Sequence, residues 1–468
     1  MRRPQFHPRD KREEGVVITL VAIFMLGVVG AMAALAIDVV SLYTARSEAQ
    51  LAADGAALAG ARVLATSGMT SDPNAVGDGL ESNAVSLATA VATQVAASNP
   101  VGGRDLNAGA STCTAEICVT INTSLTNFLS NPQVQVTVQR NDLPTFFARI
   151  WGTTTVAVKA TATAEAYNPS LLSGTGATTE PPVSAICVKP WLLPNLDPSS
   201  TPAPGAIPIF NADGSIKTTT LLGWETISQT SGTAPAGKTY LWNACTPTGG
   251  VCTAPFPGAL AWNFLPGDPS SFPTPAAASV TCSPTAAFYT GTNYELSIAG
   301  CVQTPISCNQ TVNVDQTDLI TNQETAAAVN CLTHATGSKA DAVDETTYTS
   351  ASSPYNAPFE FLAGDEDPLV VAGAITGGKD MPVSDSLVTV PVYDSSVASA
   401  GSVKIMGFVQ LFLNPEGHSV HMGFFGGQQY RVHTMVTNVI GCGTSAAGST
   451  VYGNGPSAVP VRLITPSS

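Results

Sequence analysis

Residues 373–380 read GAITGGKD and nearly spell a phosphate-binding loop. That chemistry needs Ser or Thr after the lysine to hold magnesium, and Asp380 follows Lys379 instead, so a Gly-rich turn accounts for the segment. His418 and His421 sit three apart, with Glu416 beside them. Metal ligation needs a regular scaffold and a third ligand, whereas Pro415, Gly417 and Gly423 predict a loop carrying solvated or capping histidines. Asp365, Glu366 and Asp367 form an acidic turn before Pro368, without the alternating oxygen ligands of a calcium loop. No Gly-x-Ser-x-Gly elbow, HExxH helix or catalytic Cys/His arrangement occurs. The expectation is a non-enzyme with no catalytic residue, no cofactor and no metal.

Cysteine is the remaining reactive residue. All ten cysteines follow residue 112: Cys113, Cys118, Cys187, Cys245, Cys252, Cys282, Cys301, Cys308, Cys331 and Cys442. An even number confined to one part of the chain fits disulfides in an oxidising compartment. The close spacings Cys113/Cys118, Cys245/Cys252 and Cys301/Cys308 could each close a small loop, but spacing leaves the connectivity open. There is no CxxC pair for zinc, and His334 near Cys331 is an isolated neighbour.

These residues must be positioned by a chain of 468 residues that carries only 11% charged side chains and a net charge of −14. An acidic chain of this kind has no electrostatic reason to bind nucleic acid. The organising element is the uncharged run Gly15–Ile37. As a helix rising about 1.5 Å per residue it reaches roughly 34 Å, enough to cross a hydrocarbon core of about 30 Å. The run is too long for the apolar core of a cleaved signal peptide, and helical patterning continues through the small-x-small site at Ala34–Ala36, so an anchor is expected. Arg2, Arg3, Arg9, Lys11 and Arg12 precede it and Asp38 follows, which puts the N-terminus in the cytoplasm and the bulk outside.

Beyond the span, residues 38–66 read as a helix whose Leu42, Ala45, Ala49, Ala52, Ala56, Ala59 and Val63 recur at spacings of 3 and 4. This seam could face the core of its own domain or pack against another subunit, which leaves a homo-oligomer open. A loop at 67–79 leads to a second Ala-rich helix at 80–97. Alternating strands are expected at 117–122, 134–139 and 153–167, with a short amphipathic helix at 143–151. A Ser/Gly/Thr/Pro linker at 168–182 separates this module from a turn-rich, mostly β part over 183–468. There a helix is expected at 322–333 and strands at 386–394, 403–414 and 430–441. The fold class expected is α+β: a single N-terminal transmembrane helix continuing into an Ala-rich helix, a small α+β module over 38–167, then a disulfide-containing β domain.

The span followed by IDVVSLYTARSEAQLAADGAALAGARVL resembles the N-terminal module of TadE/TadG-like proteins of Flp (Tad) pilus assembly. Asp38, Arg46, Gln50 and Asp54 fit that family's helix, as does the AADGAALAGA run. LPTFFARIWGTTTVAVKATATA, from Leu143 to Ala164, is also similar: an aromatic segment, a Gly, then a strand ending in alternating Ala and Thr.

The resemblance implies a membrane-anchored structural component of pilus assembly in the inner membrane of a bacterium, with the lipid bilayer and other pilus-assembly proteins as partners. The alternative is an extracytoplasmic adhesin or binding protein using the same anchor. Pilin-like members are cut after a Gly and carry Glu at the fifth mature position. Here Leu20 is fifth after Gly15 and no Glu occurs before Ile37, which argues for an uncleaved assembly component. Full-length TadG-like proteins often carry a von Willebrand A-type metal site of the form Asp-x-Ser-x-Ser. Asp394-Ser395-Ser396-Val397-Ala398 ends in Ala, so that site is not expected.

Overall fold

The computed structural model describes residues 11–71, 80–107, 115–123, 131–168, 183–197, 207–217, 221–222, 239–244, 261–282, 289–315, 322–335, 343–347, 360–381, 383–396, 401–415, 432–442, 451–452 and 459–464. The basic residues Arg2, Arg3 and Arg9, the linker at 169–182, Cys113, Cys245, Cys252, His418 and His421 lie outside the described residues. In chain order the first elements are α1 (Lys11–Thr66), α2 (Leu80–Ala97), β1 (Ile117–Asn122), β2 (Gln133–Pro144) and β3 (Thr155–Ala166). Short strands follow: β4 (Val183–Ala185), β5 (Trp191–Pro194), β6 (Thr239–Ala244) and β7 (Ala261–Pro266). Next come α3 (Asn293–Ala299), β8 (Ile306–Ser307), β9 (Thr311–Asn313), α4 (Asn322–Leu332), β10 (Glu345–Thr347), β11 (Glu360–Leu362) and α5 (Pro368–Val371). The chain closes with β12 (Leu387–Tyr393), β13 (Ser402–Leu413), β14 (Val432–Gly441), β15 (Val451–Tyr452) and β16 (Val461–Ile464). This is the α+β chain expected, with one long apolar N-terminal helix and a strand-rich, disulfide-bonded C-terminal part.

Two compact units divide the chain. Unit 1 comprises Met1–Ala56, Thr93–Val119 and Val136–Ala162, and unit 2 comprises Ala57–Ala92, Thr120–Gln135 and Thr163–Ser468. The first part of α1, α2 and the first three strands thus do not fall in one unit.

In unit 1, α1 runs unbroken from Lys11 through the apolar span. Large apolar side chains of the span stay exposed, including Ile18, Phe24 and Met32, as a lipid-facing helix requires. Past Asp38 the exposure becomes one-sided: Ala45, Ala49, Ala52, Ala53 and Ala56 are buried. Val136 and Val138 of β2 and Val158, Ala160 and Ala162 of β3 are buried too, at the two-residue period of a half-buried strand. The Gln139 amide donates to the Glu116 carbonyl (2.8 Å), and the Thr137 and Thr161 hydroxyls meet at 2.9 Å, linking β1 to β2 and β2 to β3. The helix expected at 143–151 is instead the end of β2, then a 3₁₀ turn at Ala148–Trp151. The aromatic pair at 146–147 does not continue a helix because its amides bond elsewhere, to a carboxylate on α1.

In unit 2, Ala57, Ala61, Val63 and Leu64 of α1 are buried beside Ala84, Ala88 and Ala92 of α2. Gly60 sits at the closest approach: a Cβ there would lie 3.0 Å from Val134 Cγ1 and 3.2 Å from both the Ala88 oxygen and Ala92 Cβ. Six strands pair in a closed ring, β12–β5–β7–β6–β14–β13, because β13 also pairs with β12, over Ile405–Phe412. Two of those pairings are parallel, β12 with β5 and β6 with β7. Closure leaves no open sheet edge on the ring, and β12 is buried at every residue, on both of its faces. β9 extends β13 at Ser402–Lys404.

α3 and α4 pack into the core with the ring strands. Trp191, Phe264, Tyr294, Val329, Val390, Leu411 and Val436 belong to one buried cluster. Trp191 Nε1 donates to Tyr294 Oη (2.9 Å), so the indole is buried without losing its hydrogen bond. Lys189, equally buried, donates from Nζ to the Ile298 and Gly300 carbonyls (2.6 and 2.8 Å), capping the C-terminal end of α3.

Cys301 and Cys308 are disulfide-bonded, but not to each other. Cys301 pairs with Cys187 and Cys308 with Cys442, while Cys282 pairs with Cys331. The bridges span 114, 134 and 49 residues, where close spacing suggested small local loops. The final strand, β16, returns to pair with β3 at Thr163–Ala166. There Arg462 bonds Glu165 and lies 4.6 Å over the Tyr167 ring.

Candidate functional site

The first residue after the apolar run is the first to be held by the rest of unit 1. Asp38 is 3% exposed. Its Oδ1 accepts from the Phe146 amide (2.9 Å), and its Oδ2 accepts from the amides of Phe147 (3.0 Å) and Ala148 (2.7 Å). The 3₁₀ turn that begins at Ala148 has no side-chain cap from its own N-cap, Phe147. Helix starts leave amides unsatisfied, and here a carboxylate from α1 takes them. Burial pushes the Asp38 carboxyl up, the three amide bonds pull it down, and the net displacement is below the usual range. Asp38 is therefore the carboxylate that these amides require.

About two to four turns further along α1 stand the other motif residues. The Gln50 amide donates to Asp54 Oδ1 (2.8 Å), one turn on, and lies 3.5 Å from the Thr161 carbonyl of β3. Arg46 is exposed. With Val39, Leu42 and Tyr43 it forms one wall of an open groove of about 330 Å³, whose other wall is Val156–Lys159 of β3. Tyr43 is 76% exposed beside it.

A second contact between α1 and the turn at Val101–Arg104 stiffens the same region. Glu48 Oε2 accepts from the Gly102 amide at 2.7 Å. Gly102 has φ +60°, and a Cβ there would lie 2.4 Å from Leu143 Cδ2, so only glycine fits. The Arg140 guanidinium, 4% exposed, bonds the Val101 carbonyl and Asp142. Arg104 pairs with Glu116 and, at 3.4 Å, with Asp142. Burial pushes Glu116 up, but the Arg104 guanidinium and the Asn107 amide hold it below the usual carboxylate range. The Arg140 guanidinium lowers Asp142 likewise.

The expected seam divides by burial. Ala45, Ala49, Ala52, Ala56 and Val63 are buried, while Leu42 and Ala59 are half-buried. The residues that sequence periodicity missed are Ala53, Ala57, Gly60 and Ala61, which widen the buried stripe. Also missed were the remote partners Glu48, Gly102 and Arg140. Asp38, Arg46, Gln50, Asp54 and the aromatic segment carry a family-like signal, and no sequence pattern joins Asp38 to the aromatic segment.

The other chemical candidates are occupied by local structure. Asp394 Oδ1 accepts from the Ser396 amide (2.9 Å) and hydroxyl (2.6 Å), an ordinary Asx turn. Asp367 caps α5 through the Leu369 amide (2.7 Å). The segment from Gly373 turns back so that Gly378 and Ala363 bond each other's neighbourhood, with Gly373 and Gly378 at positive φ. His334 bridges the Cys282 carbonyl and Asp385, each at 2.9 Å. Among the described residues no group of three or more His, Cys, Asp or Glu is placed to hold a metal ion.

No curated protein and no solved structure matches the chain. Residues 15–63, the segment that carries the apolar run, Asp38, Arg46, Gln50 and Asp54, match the family model described as "Putative Flp pilus-assembly TadE/G-like", and among the described residues this segment holds the one helix long and apolar enough to cross a membrane.

Proposed function

We propose that this chain is a membrane-anchored structural component of Flp/Tad pilus assembly, acting by anchoring and by protein–protein contact. Its N-terminus is cytoplasmic and its bulk lies on the outer side of a bacterial inner membrane. A basic tail at 1–14 precedes the span at 15–37, the Tad-like module runs over 38–167, and a linker at 168–182 leads to the β domain at 183–468. The observation that carries the reading is the Asp38 clasp within the Tad module: the two segments that resemble the family are bonded to each other at the end of the span. The groove lined by Leu42, Tyr43 and Arg46 is the surface offered to another assembly protein or to a second copy.

The test is a deletion strain complemented with the full chain and carrying a photo-crosslinker at Tyr43. Loss of pili on deletion, and crosslinks to a pilus-assembly protein or to the chain itself, are expected. Normal piliation without the gene would reject the reading and favour an adhesin. Protease accessibility in sealed spheroplasts checks the orientation, with digestion of the bulk from the outer side expected.

A further inference from the structure

We infer that the turn at Phe146–Gly152 is a second membrane contact, which rests in the headgroup layer beside the span. The inference needs the span but not the pilus role. The apolar run ends at Ile37, so Asp38 marks the edge of the hydrocarbon core. A helical Cβ tilts toward the helix N-terminus, so the Asp38 carboxylate reaches back toward the bilayer. The amides of Phe146, Phe147 and Ala148 are bonded directly to it, which fixes the turn at that depth. The headgroup layer on each side is roughly 5–7 Å thick, so a turn at this level lies within it.

The chemistry of the turn suits that layer. Phe146 is 65% exposed although it is a large apolar side chain. Val39, Val40 and Tyr43 are exposed on the adjoining turns of α1, at 55%, 64% and 76%. Aromatic rings favour the membrane interface. Arg149, exposed on the same 3₁₀ turn, supplies a cation for lipid phosphate. The turn also covers Asp38, so the carboxylate next to the hydrocarbon faces three amide donors where lipid would otherwise stand. The occupant is therefore the bilayer interface, since the surface is continuous with the span and has the interface's mix of aromatic and basic groups.

The test uses the full chain in liposomes containing anionic lipid. Among the described residues no cysteine is free, so a nitroxide can be placed at Phe146→Cys and read against the unsubstituted chain carried through the same labelling. A reference label goes at Gln94→Cys, exposed next to Val95, which neighbours Gly55, 17 positions past Asp38. That reference stands about 25 Å farther out along the helix. Relative to it, the Phe146 label should favour collision with oxygen over a water-soluble nickel chelate by about threefold or more. A label at Arg149→Cys, which keeps Phe146, should give the same ordering. Adding Asp38→Ala should bring both ratios toward the reference value. Ratios at Phe146 and Arg149 equal to that of Gln94 in the parent chain would overturn the inference, including where these sites are shielded instead by another protein. Ratios unmoved by Asp38→Ala would overturn the role given to Asp38.

Discussion

Asp38 and Ala148 lie 110 positions apart in the chain and are joined by a 2.7 Å hydrogen bond from the Ala148 amide to the Asp38 carboxylate. With the bonds from Phe146 and Phe147 it makes one carboxylate the cap of a remote turn. Replacing Asp38 by Ala should remove the acceptor of three part-buried amides. Hydrogen bonds to charged groups contribute about 1.5–3 kcal/mol each when singly removed, so amide exchange at 146–148 should accelerate by at least about tenfold. Hydrogen exchange read by mass spectrometry on the detergent-solubilised chain checks this, and unchanged protection at 146–148 would contradict it.

The close approach at Gly60 makes a second prediction. Its would-be Cβ lies 3.0–3.2 Å from Val134, Ala88 and Ala92 in unit 2, two of these neighbours belonging to α2. Gly60→Val has nowhere to put its two methyl groups and should destabilise unit 2 by about 1–3 kcal/mol. Thermal unfolding should fall accordingly, while Gly103→Ala, at a glycine with nothing within 4 Å but φ +76°, should cost only its backbone strain.

The disulfides should differ in worth by loop length. Cys308–Cys442 closes 134 residues and Cys282–Cys331 closes 49. Removing a native bridge typically costs about 2–5 kcal/mol, and chain entropy makes the longer loop more costly by about 1 kcal/mol. Paired Cys→Ser variants compared by denaturant titration test the order. A larger loss at Cys282/Cys331 would show that local strain or packing outweighs loop closure.

Asp344 should give unit 2 a pH dependence. Burial pushes its carboxyl up to about 7, against the opposing bonds from Ser384 Oγ (2.6 Å) and the Gly364 amide (2.9 Å), with Asp367 and Asp385 adding to the rise. The native state keeps this proton to about pH 7, whereas the unfolded chain releases it near 3.8. The native state thus binds more protons between those values, so the contribution is complete below about pH 4 and lost as pH rises toward 7. His334, also raised, acts in the same direction, while buried Lys189, lowered to about 7, makes stability rise above that pH. The difference in unfolding free energy between the parent and Asp344→Asn isolates the carboxyl. It should slope downward across pH 4–7, and a flat difference would refute the assignment.

Local order was legible where a single segment carries its own period. α2 and β1 begin and end where the Ala-rich and alternating runs predict, at Leu80–Ala97 and Ile117–Asn122. β12, β13 and β14 fall within a residue or two of their apolar runs. Periodicity fails where the partner is distant. Nothing in Leu387–Tyr393 says that β12 will close a ring with both β5 and β13, and nothing near Cys301 names Cys187. At the candidate site, the Tad-like pattern marked Asp38 and the aromatic segment separately. Their bond requires the chain to bring residue 146 back to α1, and Phe146, expected within a short amphipathic helix at 143–151, is an exposed residue ahead of the 3₁₀ turn.

The return of β16 to β3 sets a limit on timing. Arg462 and Glu165 are 297 positions apart, yet their strands are neighbours. A ribosome finishes β3 long before it makes β16, so β3 must wait with Thr163–Ala166 unpaired on that side until Val461–Ile464 has emerged. A chain cut short anywhere before Val461 would keep its anchor and still leave that edge open, ready to pair with another copy. Synthesis of β16 is what closes this edge of β3.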